Sequence, residues 1–289
     1  MVEGRYASII ERFVEWAVNE PAVRAAMIVG SQARSTMPAD AWSDLDLVVF
    51  HTDPAELLAS TQWFRGFGPV LFSVVEATAV GGSEERRVLF KGGRDVDFAV
   101  FPSAAAPLLT HAPEGERVLS RGYEILVDKD GELGRGTAHL RDRAPEPAIL
   151  PTPQEAEACV GDFWYHVLWA AKKLRRGELW AAKMGCDGYL KRLLARMIGW
   201  TTVAQRGDEV DVWFDGLFID RWADPGLLAR LPASFGRYDH ADLARALRET
   251  GRIFSDEAHE LARRIDWRYP DEAESAVKAL VSETLKDLP

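Results

Sequence analysis

Cysteine is almost missing from this chain. Cys159 and Cys186 are the only two, too few for a disulfide framework or a thiolate zinc site, and they fit a reduced, cytoplasmic setting. Basic charge is also scarce: Lys and Arg number 35 against 45 Asp and Glu, a net charge of -10. Residues 1–150 hold 15 basic and 22 acidic side chains and residues 151–289 hold 20 and 23. Neither half carries the positive surface that a nucleic-acid polyanion needs, so a long nucleic acid is excluded as a partner, whereas a small polycation is welcome. No apolar run approaches the length of a membrane span, and the first residues lack a signal-peptide pattern. Internal repeats and low-complexity tracts are absent as well. What remains is ordinary globular usage, 47% hydrophobic and 28% charged over 289 residues, enough for two domains.

The first half reads as alternating strands and helices. Ile9, Ile10, Phe13, Trp16 and Ala17 recur at helical spacing over 3–19. Short apolar runs predict strands over 25–30, 45–50, 70–75, 87–90, 95–101 and 124–127, and Asp53-Pro54 predicts a helix to about Phe64. Composition changes near residue 142. Four prolines in 143–153 mark a stiff linker between a domain over 1–142 and a second over 154–289. Beyond it the patterns are helical, over 153–176, 178–205, 210–222, 239–265 and 270–287. The expected fold is α/β followed by all-α: a mixed sheet with flanking helices, then a helical bundle, with the ligand cleft between them.

Chemistry concentrates at Gly30-Ser31 and Asp44-Leu45-Asp46. Alternation along a strand turns Asp44 and Asp46 to one face, while Leu45 and Leu47 point into a core. Adjacent carboxylates repel unless a cation sits between them, and hard oxygen ligands with room for phosphate suit magnesium. A glycine-serine turn upstream supplies free N–H groups and a hydroxyl for a phosphate. Asp97, on the apolar strand 95–101, is the candidate third carboxylate. It either shares a second ion or accepts the proton of an attacking hydroxyl. Asp95 lies on the same face and stays open as an alternative. The run Arg86-Arg87…Lys91…Arg94 reads as surface charge.

Strand, Gly-Ser, a thirteen-residue step to Asp-X-Asp and a later carboxylate strand resemble the nucleotidyltransferase fold. Gly30-Ser31-Gln32-Ala33…Pro38…Asp44-Leu45-Asp46 further resembles the aminoglycoside 6-adenylyltransferase family, which modifies streptomycin. The likeness continues through Gln62-Trp63-Phe64, Val96-Asp97-Phe98, Leu126-Val127-Asp128, Asp162-Phe163-Trp164, Arg196-Met197-Ile198-Gly199-Trp200 and Arg268-Tyr269-Pro270. The resemblance implies transfer of AMP from Mg-ATP to a hydroxyl of a cationic aminoglycoside, with release of pyrophosphate and antibiotic resistance as the outcome. It implies magnesium on Asp44, Asp46 and Asp97, and nucleotide contacts from Gly30, Ser31 and Lys172. Arg34 is the guanidinium nearest the place where the family carries arginine and this chain has Gln32; it either substitutes there or faces solvent. Asp162 and Trp164 are the expected acceptor contacts, a carboxylate for a cation and a ring for a sugar. The segment 211–221 departs from the family by lacking two lysines, which leaves open another small-molecule or protein acceptor, or a catalytically idle binding protein.

Overall fold

The computed structural model describes residues 4–34, 36–79, 81–140, 149–207, 210–212 and 215–287, with Leu109 described by its backbone alone. Two compact units divide the chain, Met1–Glu146 and Pro147–Pro289. Residues 143–148 of the expected linker lie outside the described residues.

The first unit is built on six strands: β1 (Val23–Val29), β2 (Leu45–His51), β3 (Val70–Ala77), β4 (Glu84–Phe90), β5 (Arg94–Pro102) and β6 (Glu124–Asp128). Their order across the sheet is β3-β4-β5-β2-β1-β6. Only β2 and β5 run parallel; the other neighbours are antiparallel. The sheet is therefore mixed, as the sequence predicts. Strand β1, between β2 and β6, is apolar from Ala25 to Val29 because both of its faces are covered there. Ala26 and Ile28 join one core with Ile9, Phe13 and Ala17 of α1 (Ala7–Asn19). Ala25, Met27 and Val29 face a second core closed by Ala106, Leu119, Leu133 and Leu140. Those four belong to α3 (Ala106–Leu109), α4 (Pro113–Leu119), α5 (Glu132–Gly136) and a 3₁₀ turn, Ala138–Leu140. Such short elements leave little periodicity to read, and no helix is predicted there.

Two expected helices are shorter in the structure. The one starting at Asp53-Pro54 ends early, as α2 (Pro54–Ala59), and a 3₁₀ turn over Trp63–Phe67 follows. That turn sets Trp63 and Phe67 against Phe13, Trp16 and Phe98, an aromatic cluster that outweighs continued helix. Over 210–222 only α9 (Ile219–Trp222) is helical among the described residues. Asp215, Gly216 and Phe218 have positive φ, so the Asp-Gly pair makes a turn instead.

The second unit is helical, with no strand among its described residues. Its first helix, α6 (Pro153–Arg175), opens with a reciprocal cap: Glu155 N–H donates to Thr152 Oγ1 at 3.2 Å and Thr152 N–H to Glu155 Oε2 at 2.8 Å. The stretch expected as one helix over 178–205 is α7 (Leu179–Met184), a π turn at Gly185–Tyr189 and α8 (Leu190–Arg206). Two short elements lead on: α10 (Pro225–Arg230), then a 3₁₀ turn, Leu231–Ser234. The bundle closes with α11 (His240–Arg264) and α12 (Asp271–Thr284). Phe163 of α6 stacks on Phe254 of α11, centroids 3.6 Å apart, at the centre of this core. Among the described residues no helix is long and apolar enough to cross a membrane.

Candidate active site

Register pairs Asp46 of β2 with Asp97 of β5, and Val29 at the end of β1 with Asp46. Paired residues share a face, so Asp46 and Asp97 project together, and Asp44, two positions before Asp46, joins them. One carboxylate oxygen from each of the three lies within 4.8 Å of the others. Burial pushes the Asp46 carboxyl up to about 7, and the charges of Asp44, Asp97 and Glu85 add to that rise. Asp97 is pushed up to about 6, again mainly by burial, with Arg87 pulling the other way. These acids hold more negative charge than the surrounding protein neutralises.

The turn after β1 fits closely against them. Gly30 has φ +68°, and a Cβ there would lie 2.1 Å from Asp46 Oδ2, so any other residue would be strained and would displace that carboxylate. Ser31 Oγ is buried without a hydrogen-bond partner, an orphan that calls for a ligand atom. Gln32 fixes the turn by donating from Nε2 to the Asp44 carbonyl at 2.9 Å. Arg34 Nε donates to Met37 O at 2.7 Å, closing its own loop. Three converging carboxylate oxygens beside an unpartnered hydroxyl fit a hard divalent cation carrying a phosphate; Asp44, Asp46 and Asp97 would hold it.

Two site residues escape the sequence reading. Arg87 Nε contacts Asp97 Oδ2 at 3.2 Å, Glu85 Oε1 at 2.8 Å and Glu76 Oε1 at 3.0 Å. Glu85 is buried beside it. The run Arg86-Arg87 is thus not simple surface charge. Arg86 turns to the opposite, core face, where it is buried, donates to Leu58 O and lies 5.7 Å from the Phe64 ring centroid. Period-2 alternation extended back to Glu84 would have separated the two arginines.

The residues expected from the second unit divide. Lys172 is exposed on α6. Asp162 is partly exposed, and both of its oxygens are engaged: Tyr189 Oη donates to one at 2.8 Å and His166 Nδ1 lies 2.7 Å from the other. Trp164 corrects its expected role as a sugar platform. It is 5% exposed, donates from Nε1 to Tyr269 Oη at 3.0 Å and packs against Gly251. Its ring belongs to the core because it sits on the same helical stripe as Phe163, Val167 and Val160.

A family model described as streptomycin adenylyltransferase matches residues 5–284. The aminoglycoside 6-adenylyltransferase of Bacillus subtilis (strain 168) is 21% identical over 277 residues, covering 93% of this chain and 94% of that protein. The protein of the same name from Campylobacter jejuni is 20% identical over 268 residues, covering 89% and 88%. Among solved structures, an aminoglycoside 6-adenyltransferase from Bacillus subtilis spans 96% of this chain and 98% of its own at 16% identity, TM-score 0.46. A CCA-adding enzyme in complex with CTP spans 98% and 78% at 18% identity, TM-score 0.32.

Proposed function

We infer the reaction from the premise that this chain belongs to the streptomycin adenylyltransferase family: it transfers AMP from ATP to a hydroxyl of an aminoglycoside and releases pyrophosphate. The observation that carries this reading is the convergence of Asp44, Asp46 and Asp97 beside the orphaned Ser31 hydroxyl. Streptomycin is the acceptor named for the family and the first to test.

Magnesium bound by the three aspartates would supply charge neutralisation for the triphosphate and the departing pyrophosphate. The chain itself does the rest. The Gly30-Ser31 turn offers N–H groups and the Ser31 hydroxyl to phosphate oxygens, with no side chain on Gly30 to block approach. The acceptor oxygen attacks the α-phosphorus, the bond from that phosphorus to the oxygen bridging to the β-phosphorus breaks, and the electron pair leaves with pyrophosphate. Asp97, whose carboxyl is held by burial above the usual carboxylate range before any ion binds, either shares that ion or takes the hydroxyl proton. Arg87 limits that rise and keeps Asp97 oriented. Lys172, matched to the family's lysine, and Arg34 complete the proposed nucleotide contacts, and Asp162 remains the proposed acceptor carboxylate.

The test is pyrophosphate release from Mg-ATP across a panel of aminoglycosides, with mass detection of the adenylylated product. Turnover with wild type and a loss on the order of a thousandfold in Asp46→Asn support the assignment. Binding of Mg-ATP without turnover on any aminoglycoside would move the acceptor to another chemical class. Failure to bind Mg-ATP at all would overturn the enzyme reading.

A further inference from the structure

A second group of ligand-bearing side chains lies in the first unit and shares no residue with the aspartates. His111, in the turn after α3, Glu116 of α4 and His139 of the Ala138–Leu140 turn each bring one ligand atom within 4.8 Å of the others. The two imidazole rings are nearly parallel, 12° apart with centroids at 4.7 Å. Glu116 Oε1 lies 3.2 Å from His139 Nε2. Both histidines are exposed and Glu116 is partly so, leaving the cluster open to solvent on one side.

The backbone beneath is built to hold this meeting. Gly136, at the end of α5, meets Thr110 at the end of α3 so closely that a Cβ would lie 2.5 Å from Thr110 Oγ1. Thr110 and Thr137 are both fully buried, and Tyr123 Oη donates to Thr137 O at 3.1 Å. Leu133 and Leu140 anchor the same segment in the core. The segment carrying His139 is therefore clamped against the segment carrying His111.

We propose that His111, Glu116 and His139 form a binding site for a zinc-class divalent cation, separate from the magnesium-type site at the aspartates. The ligand chemistry sets the class. Two imidazole nitrogens and one carboxylate suit zinc with water in the fourth position, whereas magnesium prefers an all-oxygen shell. The ion would replace the His139–Glu116 contact. It would also tie together α3, α4 and the Ala138–Leu140 turn, elements too short to be stable alone.

Calorimetric titration of the full chain with zinc chloride, in saturating magnesium, tests the site. Wild type and Asp46→Asn are each expected to take one zinc ion, with a rise in thermal midpoint. His139→Ala and His111→Ala are expected to bind at least about tenfold more weakly and to lose that rise. Glu116→Gln, which keeps the side chain's shape, is expected to weaken binding too and guards against a folding artefact. Absence of zinc binding in wild type, or binding that survives both histidine substitutions, overturns the proposal.

Discussion

Asp46 lies between Asp44 and Asp97 with a carboxyl pushed up to about 7, and Asp97 is pushed up to about 6. In the unfolded chain both return to roughly 3.9. The folded state therefore binds more protons between those values, and stability falls as pH rises. The penalty is absent below about pH 4 and complete above about pH 7. In chelator, the thermal midpoint is expected to drop from pH 5 to pH 8, and saturating magnesium to restore it at pH 8 while adding little at pH 5. Asp46→Asn in chelator at pH 8 should melt about 2–6 °C higher than wild type while losing turnover. A lower melting point would refute the electrostatic account. Gly30→Ala acts differently: displacement of Asp46 by the new Cβ should cut turnover by on the order of a hundredfold, with magnesium stabilisation reduced in parallel.

At the scale of elements, Trp164 separates core from ligand surface. Trp164→Ala is expected to cost about 3–5 kcal/mol in chemical denaturation, with KM for the acceptor unchanged in the folded fraction. Thr152→Ala should cost about 1 kcal/mol by removing the α6 cap. These two cases show what alternation and periodicity make legible. Thr152-Pro153 with Glu155 announces its helix start in the chain itself. The aspartates were readable because period 2 puts Asp44 and Asp46 on one face, and a carboxylate inside an apolar run such as Asp97 needs a reason to be there. Trp164 was not, because an aromatic at helical spacing fits a buried stripe and a binding stripe equally. Glu85 and Arg87 were hidden for another reason: charges on a strand look solvated until the register with β5 is known, and register arises from pairings distant along the chain. The turn at 215–218 was signalled by Asp-Gly and lost to the apolar residues around it.

Across the whole molecule, the acidic excess is larger in the first half, 22 against 15, than in the second, 23 against 20. A field of that sign attracts a polycation over several ångströms and is screened by salt. KM for a cationic acceptor is expected to rise several-fold between about 50 and 300 mM salt, mostly through slower association. A flat salt profile would place recognition in short-range contacts alone. The two units have separate cores, so magnesium should raise the unfolding temperature of the first unit more than that of the second.

Arg87 has one more effect. A single guanidinium grips carboxylates from three neighbouring strands, β3, β4 and β5, and so acts as a seam along the open margin of the sheet. Were Asp97 committed to a cation, that seam would be left to Glu76 on the edge strand β3 and Glu85 on its neighbour β4. Cofactor loading would then be audible at the rim: amide deuteration along β3 and β4 should change when the catalytic ion arrives, and Arg87→Ala should silence the response.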